Sequence, residues 1–249
     1  MSDAVRHDLP GLYRETRERL TALVRSLDTR ALATPVPACP GWAVRDVVAH
    51  LAAVSEDAVA GRITGLPTEE FTAAQVARLA DVPVHEVLDL WAAAAPQFEE
   101  IIGAAKVRPA VVDLATHEQD IRGAVGIPGA RDSAAVLQCA AMLLADLPVP
   151  VPLLVVTSDG EFAAGPGRTG VDESASPDSP DADYEAPGSS GCTPRAAGLV
   201  LSTTLFEAFR WRMGRRSRAQ LAAMDWTGDP SPVLDHLSIF GPAASDVIE

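Results

Sequence analysis

The 249-residue sequence predicts a two-domain α+β protein, with a four-helix bundle over residues 1–130 and a small α+β domain over residues 131–249. Three observations favour this fold class. Segments with an amphipathic helical pattern and short connections fill the first half of the chain, as in helix bundles. A β-branched apolar run at Leu153–Thr157 occurs only in the second half. Residues 168–195 then combine Pro, Ser and Gly with acidic side chains, which is typical of a solvated loop.

Four helical segments predict the bundle. They cover about 9–28, 42–63, 69–104 and 109–125. Prolines make 34–41 a loop, because the missing N–H and the fixed φ of proline cannot continue a helix. Asp81 as an N-cap, with Pro83 in the first turn, is expected to interrupt the third segment. Pro96 predicts a kink or break further on, and Gly126 marks the end of the fourth helix.

The second half is predicted to mix helices with strands. Its predicted elements are a helix at about 132–146, strands at 153–157 and 161–164, a short strand at 183–187, and helices at about 195–213 and 217–224. The turn Ser158-Asp159-Gly160 joins the first two strands. Pro194 is expected to open the longer of the last two helices.

Charge and cysteine usage exclude several classes of protein. A net charge of −14 argues against a nucleic-acid partner and against an anionic membrane surface, since both require a basic footprint. No stretch reaches the roughly 18 apolar residues of a membrane span, and the N-terminus lacks the apolar core of a signal peptide. Cys39, Cys139 and Cys192 are odd in number and far apart, which argues against a disulfide framework and predicts a cytoplasmic protein.

One helical face carries a candidate metal site. Asp113, His117 and Asp120 stand at i, i+4 and i+7 of the fourth helix, and His50 lies beside the apolar stripe of the second. Carboxylate and imidazole are ordinary ligands of zinc, and a bundle core can combine ligands from facing helices. Asp120 could orient a ligand histidine through its second ring nitrogen. Spacing alone leaves open that these are capped or solvated side chains, because Asp–His pairs at i, i+4 are common on helix surfaces.

Four motifs resemble the mycothiol-dependent maleylpyruvate isomerase family and follow its order along nearly the whole chain. They are CPGWAVRDVVAHL (39–51), DLATHEQDIRGAVG (113–126), GRRSRAQLAAMDWTGDP (214–230) and FGP near the C-terminus. The resemblance implies a DinB-like four-helix bundle followed by an α+β domain. It also implies a divalent-metal site, with zinc as the expected metal, formed by His50, Asp113 and His117. The namesake enzyme has glutamate where this chain has Asp113, so the acid side chain here has a shorter reach.

The resemblance further implies thiol chemistry. In the family, the metal binds the low-molecular-weight thiol mycothiol and holds it as a thiolate, because a coordinated thiol is deprotonated. The thiolate then attacks a small electrophile, either for cis–trans isomerisation by addition and elimination or for S-transfer. Two alternatives remain open: a non-catalytic ligand-binding or accessory protein, and a thiol-independent hydrolase that uses metal-bound water.

Several further residues are possible site residues. Cys39 has no histidine nearby in sequence, so a structural or incidental cysteine is favoured over a nucleophile. Arg122 could bind a substrate carboxylate or form a salt bridge within the bundle. Trp42 and Trp226 are assigned to packing. An arginine cluster follows in the second half, for which an ion-paired or solvated face is favoured over an anionic substrate site; its members are Arg210, Arg212, Arg215, Arg216 and Arg218.

Overall fold

The structure is a computed structural model that describes residues 8–63, 65, 68–166 and 198–249. The predicted loop at 168–195, its strand at 183–187 and Pro194 lie outside these residues. The helices before the first strand are α1 (Leu9–Arg25), α2 (Thr29–Leu32), α3 (Val44–Val59), α4 (Glu69–Arg78), α5 (Val84–Ala105), α6 (Arg108–Val125) and α7 (Ala134–Ala145). The elements that follow are β1 (Leu153–Thr157), β2 (Gly160–Ala164), β3 (Leu199–Ser202), α8 (Leu205–Arg212), α9 (Arg218–Ala222), β4 (Asp225–Thr227) and a 3-10 turn at Leu234–His236.

The four long helices α1, α3, α5 and α6 form the predicted bundle, which is confirmed. They pack against one another and fully bury large apolar side chains such as Leu20, Trp91 and Leu114. Removing these side chains from water supplies most of the driving force for their association. The indole N–H of Trp91 donates to the Tyr13 hydroxyl (2.9 Å), which lies 2.8 Å from Ser55 Oγ. The three polar side chains Trp91, Tyr13 and Ser55, buried between α1, α3 and α5, thus satisfy one another.

Helix boundaries within the bundle differ from the predictions at several places, among them α3, which ends at Val59 rather than near residue 63. The first helix ends at Arg25, before a separate short helix, α2. The N-cap of α5 is Pro83 rather than Asp81. The helix also runs through Pro96 without a break; since Pro96 is exposed, the carbonyl left without its partner can turn toward water. Gly126 ends α6 as predicted, at a positive φ of 66° that glycine adopts without strain.

A four-stranded sheet in the order β2-β1-β3-β4 forms the β part of the second half. The hairpin β1–β2 is antiparallel, β1 and β3 are parallel, and β3 and β4 are antiparallel. Val155 at the centre of β1 pairs with Phe162 on one side and Leu201 on the other. Helix α8 packs on α7, next to this sheet. The predicted α+β character of the second half is thus confirmed.

The predicted helix at 195–213 is wrong in its first part, because residues 199–202 form β3 and α8 begins only at Leu205. Two local causes are visible. The Thr204 hydroxyl accepts a hydrogen bond from the backbone N–H of Glu207 (3.1 Å) and so fixes the helix start there. Leu201 becomes fully buried against β1. The sequence does not predict β4, because three residues are too few to display an alternating pattern.

The two halves share one continuous hydrophobic core. Helix α7 packs against α6 of the bundle and against α8 of the second half. The hydrophobic core continues across residue 130. The domain boundary predicted there therefore stays a prediction. In the described part of the chain, every helix is too short or too polar to cross a membrane.

Candidate metal centre

Helices α3 and α6 bring the three predicted ligand residues together. His50 Nε2 lies 3.5 Å from one carboxylate oxygen of Asp113, and His117 Nε2 lies 3.4 Å from the other. Ligand atoms of the three residues all lie within 4.8 Å of one another. The imidazoles are buried, with 7% and 10% of their side-chain surface exposed, whereas 38% of the Asp113 side chain is exposed. The site therefore opens toward solvent on its carboxylate side.

The helical patterns explain this convergence. On α3, His50 stands next to Leu51 and three residues after Val47, both of which are buried, so the apolar stripe turns the imidazole inward. On α6, the i, i+4 spacing places Asp113 and His117 on one face, as predicted. The two rings meet edge to face with centroids 5.3 Å apart. Packing of α3 against α6 thus creates the site.

Each imidazole has its other nitrogen engaged by an acceptor. His50 Nδ1 lies 3.2 Å from Gln75 Oε1 on α4, and His117 Nδ1 lies 3.0 Å from the Asp120 carboxylate. A carboxylate can only accept, so the hydrogen bond to Asp120 keeps a proton on Nδ1 of His117. The nitrogens that face Asp113 are therefore the ones available as ligands, and this arrangement is typical of metal-binding histidines.

Arginines from the second half neutralise Asp120. Arg210 Nη2 donates to Asp120 Oδ1 at 2.7 Å, and Arg215 Nη2 donates to Oδ2 at 2.8 Å. Asp120 and Arg210 are fully buried. Burial would raise the pKa of the Asp120 carboxyl, but the two guanidinium groups and His117 outweigh it and hold that pKa well below its usual value. Asp120 is thus a charged acceptor that α8 and the segment after it hold in place.

Cys39 lies beside this network, although no histidine is near it in sequence. Its Sγ is 3.7 Å from His117 Nδ1 and 3.5 Å from Asp120 Oδ2. Cys39, His117 and Asp120 could by distance alone hold a cation. Two arginines already compensate the Asp120 charge, however, and Arg215 Nη2 lies 3.9 Å from the sulfur. Repulsion from these guanidinium groups makes this the weaker of the two cation sites.

Asp113 and His117 each shift the pKa of the other. Burial would raise the pKa of Asp113, but the facing imidazoles of His117 and His50 outweigh it and hold that pKa well below its ordinary value. Burial likewise opposes the charged form of His117, yet Asp113 and the hydrogen bond to Asp120 raise its pKa well above the usual value. A cation bound here would displace the His117 Nε2 proton, as metal binding to imidazole does in general.

The remaining candidates lie around the site or away from it. Trp42, assigned to packing, has its ring centroid 5.3 Å from that of His50 and 6.4 Å from that of His117, so it also lines the site. Arg122 forms an i, i+4 salt bridge with Glu118 at 3.0 Å, which is the second of its two predicted roles. Every member of the arginine cluster has a polar partner, and Arg218 is also solvent-exposed: Arg210 and Arg215 pair with Asp120, Arg216 with Glu207 and Glu249, Arg218 with Asp235, and Arg212 with backbone carbonyls.

Sequence reasoning missed Gln75. It carries the acceptor that faces His50 Nδ1, and it is buried on a helix of otherwise unburied residues. No local pattern indicates this role, because its partner stands 25 positions earlier on a different helix. The site geometry therefore includes a residue that only the packing of α4 on α3 reveals.

This chain is similar to a known family model and to solved structures. Residues 13–131, which contain all three candidate ligands, match the family model described as "Mycothiol maleylpyruvate isomerase N-terminal domain". Two solved structures are similar over 83% of this chain and 88% of theirs: the mycothiol-dependent maleylpyruvate isomerase (13% identity, TM-score 0.48) and a histidine-to-alanine mutant of it (12%, 0.47). Among curated proteins, none matches significantly. The helical part of this chain, residues 13–131, is therefore similar to the mycothiol maleylpyruvate isomerase N-terminal domain.

Proposed function

We propose that this protein is a metal- and mycothiol-dependent isomerase or S-transferase that acts on a small electrophilic substrate. His50, Asp113 and His117 would hold the divalent metal, with zinc as the expected ion. The observation that carries the proposal is the convergence of two imidazole nitrogens on one carboxylate, with both opposite ring nitrogens already engaged. The thiol is inferred from the description of the family model that residues 13–131 match.

The donor set suits a catalytic zinc ion. Two imidazoles and one carboxylate form a three-ligand set that leaves one coordination position for water or substrate. The two imidazole nitrogens lie 3.5 and 3.4 Å from the two oxygens of Asp113, and the ligand atoms all lie within 4.8 Å of one another. These separations would allow the three residues to bind one ion. The half-exposed side of Asp113 would leave the fourth position accessible.

A divalent metal would contribute one property to the chemistry: it lowers the pKa of a thiol that coordinates it. The thiol sulfur adds to one carbon of an activated double bond, rotation occurs about the resulting single bond, and elimination of the same sulfur restores the double bond. In S-transfer, the sulfur instead displaces a leaving group. A reducing cytoplasm, which the scattered cysteines predict, would keep such a thiol available.

The residues of the chain would hold and orient the reacting groups. Asp120 and Gln75 keep protons on the Nδ1 atoms of the two histidines, so that both rings present Nε2 to the site. Trp42 covers both imidazoles on one side. This apolar wall would limit the access of water to a thiolate, which is more nucleophilic when it is less solvated.

The first experiment measures zinc bound per protein chain after loading and desalting, in wild type and in His50→Ala. The matched control is His85→Ala, because His85 is a histidine with 73% of its side chain exposed on α5. We expect one zinc ion in the wild type and the control, and almost none in His50→Ala. Equal zinc content in all three proteins would refute the proposed ligand set.

The second experiment measures turnover of maleylpyruvate and of model electrophiles by the zinc-loaded protein, with mycothiol and without any thiol. Turnover that requires mycothiol supports the proposal. Zinc binding without turnover under either condition would instead identify a ligand-binding protein. Turnover that survives complete removal of thiol would identify a hydrolase whose nucleophile is water.

A further inference from the structure

Helix α4 buries a single side chain, and that side chain is polar. Among the ten residues of this fully described helix, Glu69–Arg78, only Gln75 is buried, with 1% of its surface exposed. The helix packs against α3, which carries His50. A surface helix usually attaches through an apolar stripe, so burial of an amide in its place requires a reason.

Gln75 connects the candidate ligand His50 to a buried carboxylate. Its Oε1 lies 3.2 Å from His50 Nδ1, and its Nε2 donates to Asp57 Oδ2 at 2.7 Å. Asp57 is 1% exposed and also accepts from Arg62 Nε (2.7 Å) and pairs with Arg78 Nη2 (3.0 Å). The order of groups is thus arginine, carboxylate, amide, imidazole.

This order fixes the direction of every hydrogen bond. The carboxylate of Asp57, paired with two arginines, can only accept, so the amide nitrogen of Gln75 must face it. The amide oxygen is then the atom that faces His50, and an oxygen can only accept from the ring. A proton is therefore held on Nδ1 of His50, and Nε2 is directed at Asp113 with its lone pair available.

We propose that Gln75, fixed by Asp57, is a positioning residue that holds His50 in the orientation and tautomer needed to bind the metal. The inference rests on the proposed metal site. It explains why α4 buries an amide, since an apolar side chain of similar size would fill the same space without the cost of desolvating polar groups. It also gives α4 a role, because the helix carries the acceptor that α3 lacks.

The test is the zinc dissociation constant of the full-length protein, measured by competition with a chromophoric chelator. Gln75→Met removes both polar atoms and keeps a similar volume; Gln97→Met, at an exposed position of α5, is the matched control. We expect Gln75→Met to weaken zinc binding about 10- to 100-fold, as removal of the hydrogen-bond partner of a ligand histidine does in general. The control should bind like the wild type.

A rescue variant separates positioning from simple packing. In Gln75→Glu/Asp57→Asn the polarity of the pair is reversed: the new carboxylate at position 75 can still accept from His50 Nδ1, and the new amide at position 57 can donate to it. We expect this double variant to recover most of the zinc affinity lost in Gln75→Met. A purely structural role would instead predict that affinity follows thermal stability, whichever group faces the ring.

The ¹⁵N chemical shifts of the His50 ring in metal-free protein give a readout independent of metal. The wild type should show the proton on Nδ1, and Gln75→Met should lose that preference. Wild-type zinc affinity in a folded Gln75→Met would overturn this inference alone, provided that His50→Ala abolishes binding. If the wild type itself binds no zinc, the proposed function fails first.

Discussion

At the scale of single residues, Asp113 is the proposed ligand whose role is most open to test, because it is the one carboxylate of the three and the most exposed of them. Its two oxygens lie 3.4 and 3.5 Å from the two imidazoles, so its side chain reaches both. We expect Asp113→Asn to weaken zinc binding at least about tenfold, since a neutral amide is a poorer ligand for zinc than a carboxylate. Chelator competition measures the effect, and unchanged affinity would exclude Asp113 as a ligand.

Asp57 provides a prediction on pH. Burial would raise its pKa, but hydrogen bonds from Gln75, Arg62 and Arg78 outweigh this effect and lower the pKa below the ordinary value. Because the pKa in the folded state lies below the unfolded value of about 3.9, Asp57 stabilises the fold fully above that pH and loses its contribution as the pH falls through the folded pKa.

The variant Asp57→Asn should therefore lower the free energy of unfolding by about 1–3 kcal/mol at pH 7, where the charged hydrogen bonds are lost. The deficit relative to wild type should shrink toward acidic pH, because the wild-type carboxyl then becomes protonated as well. Urea unfolding at pH 7 and at the lowest pH where the wild type stays folded measures both values. An equal deficit at the two pH values would contradict the assignment.

Local sequence reveals some site residues and hides others. The sequence predicts that Asp113 and His117 lie together, because they share one face of one helix. It also predicts His50 as a site residue, because its motif and the apolar stripe beside it are visible in the chain. The role of Gln75 cannot be predicted, since its partners His50 and Asp57 belong to α3 and a lone glutamine shows no periodicity. Cys39 reaches His117 only because the loop before α3 folds over α6.

At the scale of secondary structure, periodicity predicts long helices well and short elements poorly. The bundle helices each display several turns of one apolar face, so errors of up to four residues at their ends do not change their identity. In the second half, the sequence predicts a helix where the structure has β3. Leu199–Ser202 is mostly apolar and stands directly before Thr204, the cap of α8, so it resembles the first turn of that helix. A strand of four residues adjoining a helix carries too little pattern to separate the two.

The cap itself is testable. Thr204→Ala removes the side-chain acceptor of the Glu207 N–H, and we expect a loss of about 1 kcal/mol in the free energy of unfolding, as for other threonine N-caps. Chemical denaturation with urea measures the change. If the variant is as stable as the wild type, the start of α8 at Leu205 is not held by this hydrogen bond.

At the scale of the whole molecule, the halves are joined by apolar packing and by a buried ion pair. Arg210 on α8 donates to Asp120 on α6 and to the Thr116 carbonyl, with neither charged side chain exposed to solvent. This pairing spans 90 residues of sequence. Neither helical periodicity nor motif order reveals it, because each partner alone resembles an ordinary polar residue of an amphipathic helix.

Truncation of Arg210 should therefore affect both stability and the site. We expect Arg210→Met to lower the free energy of unfolding by up to about 3–5 kcal/mol, because Asp120 then keeps only Arg215 and His117 as charged partners. Asp120→Asn in the same chain should restore part of that loss, because the buried charge of the carboxylate is then removed. Urea unfolding of the two single variants, the double variant and the wild type gives the coupling free energy between the residues.

Strictly additive losses would mean that apolar packing holds the two halves together and that the ion pair between Arg210 and Asp120 does not contribute. A large coupling would mean instead that docking of the second half keeps Asp120 in place behind His117.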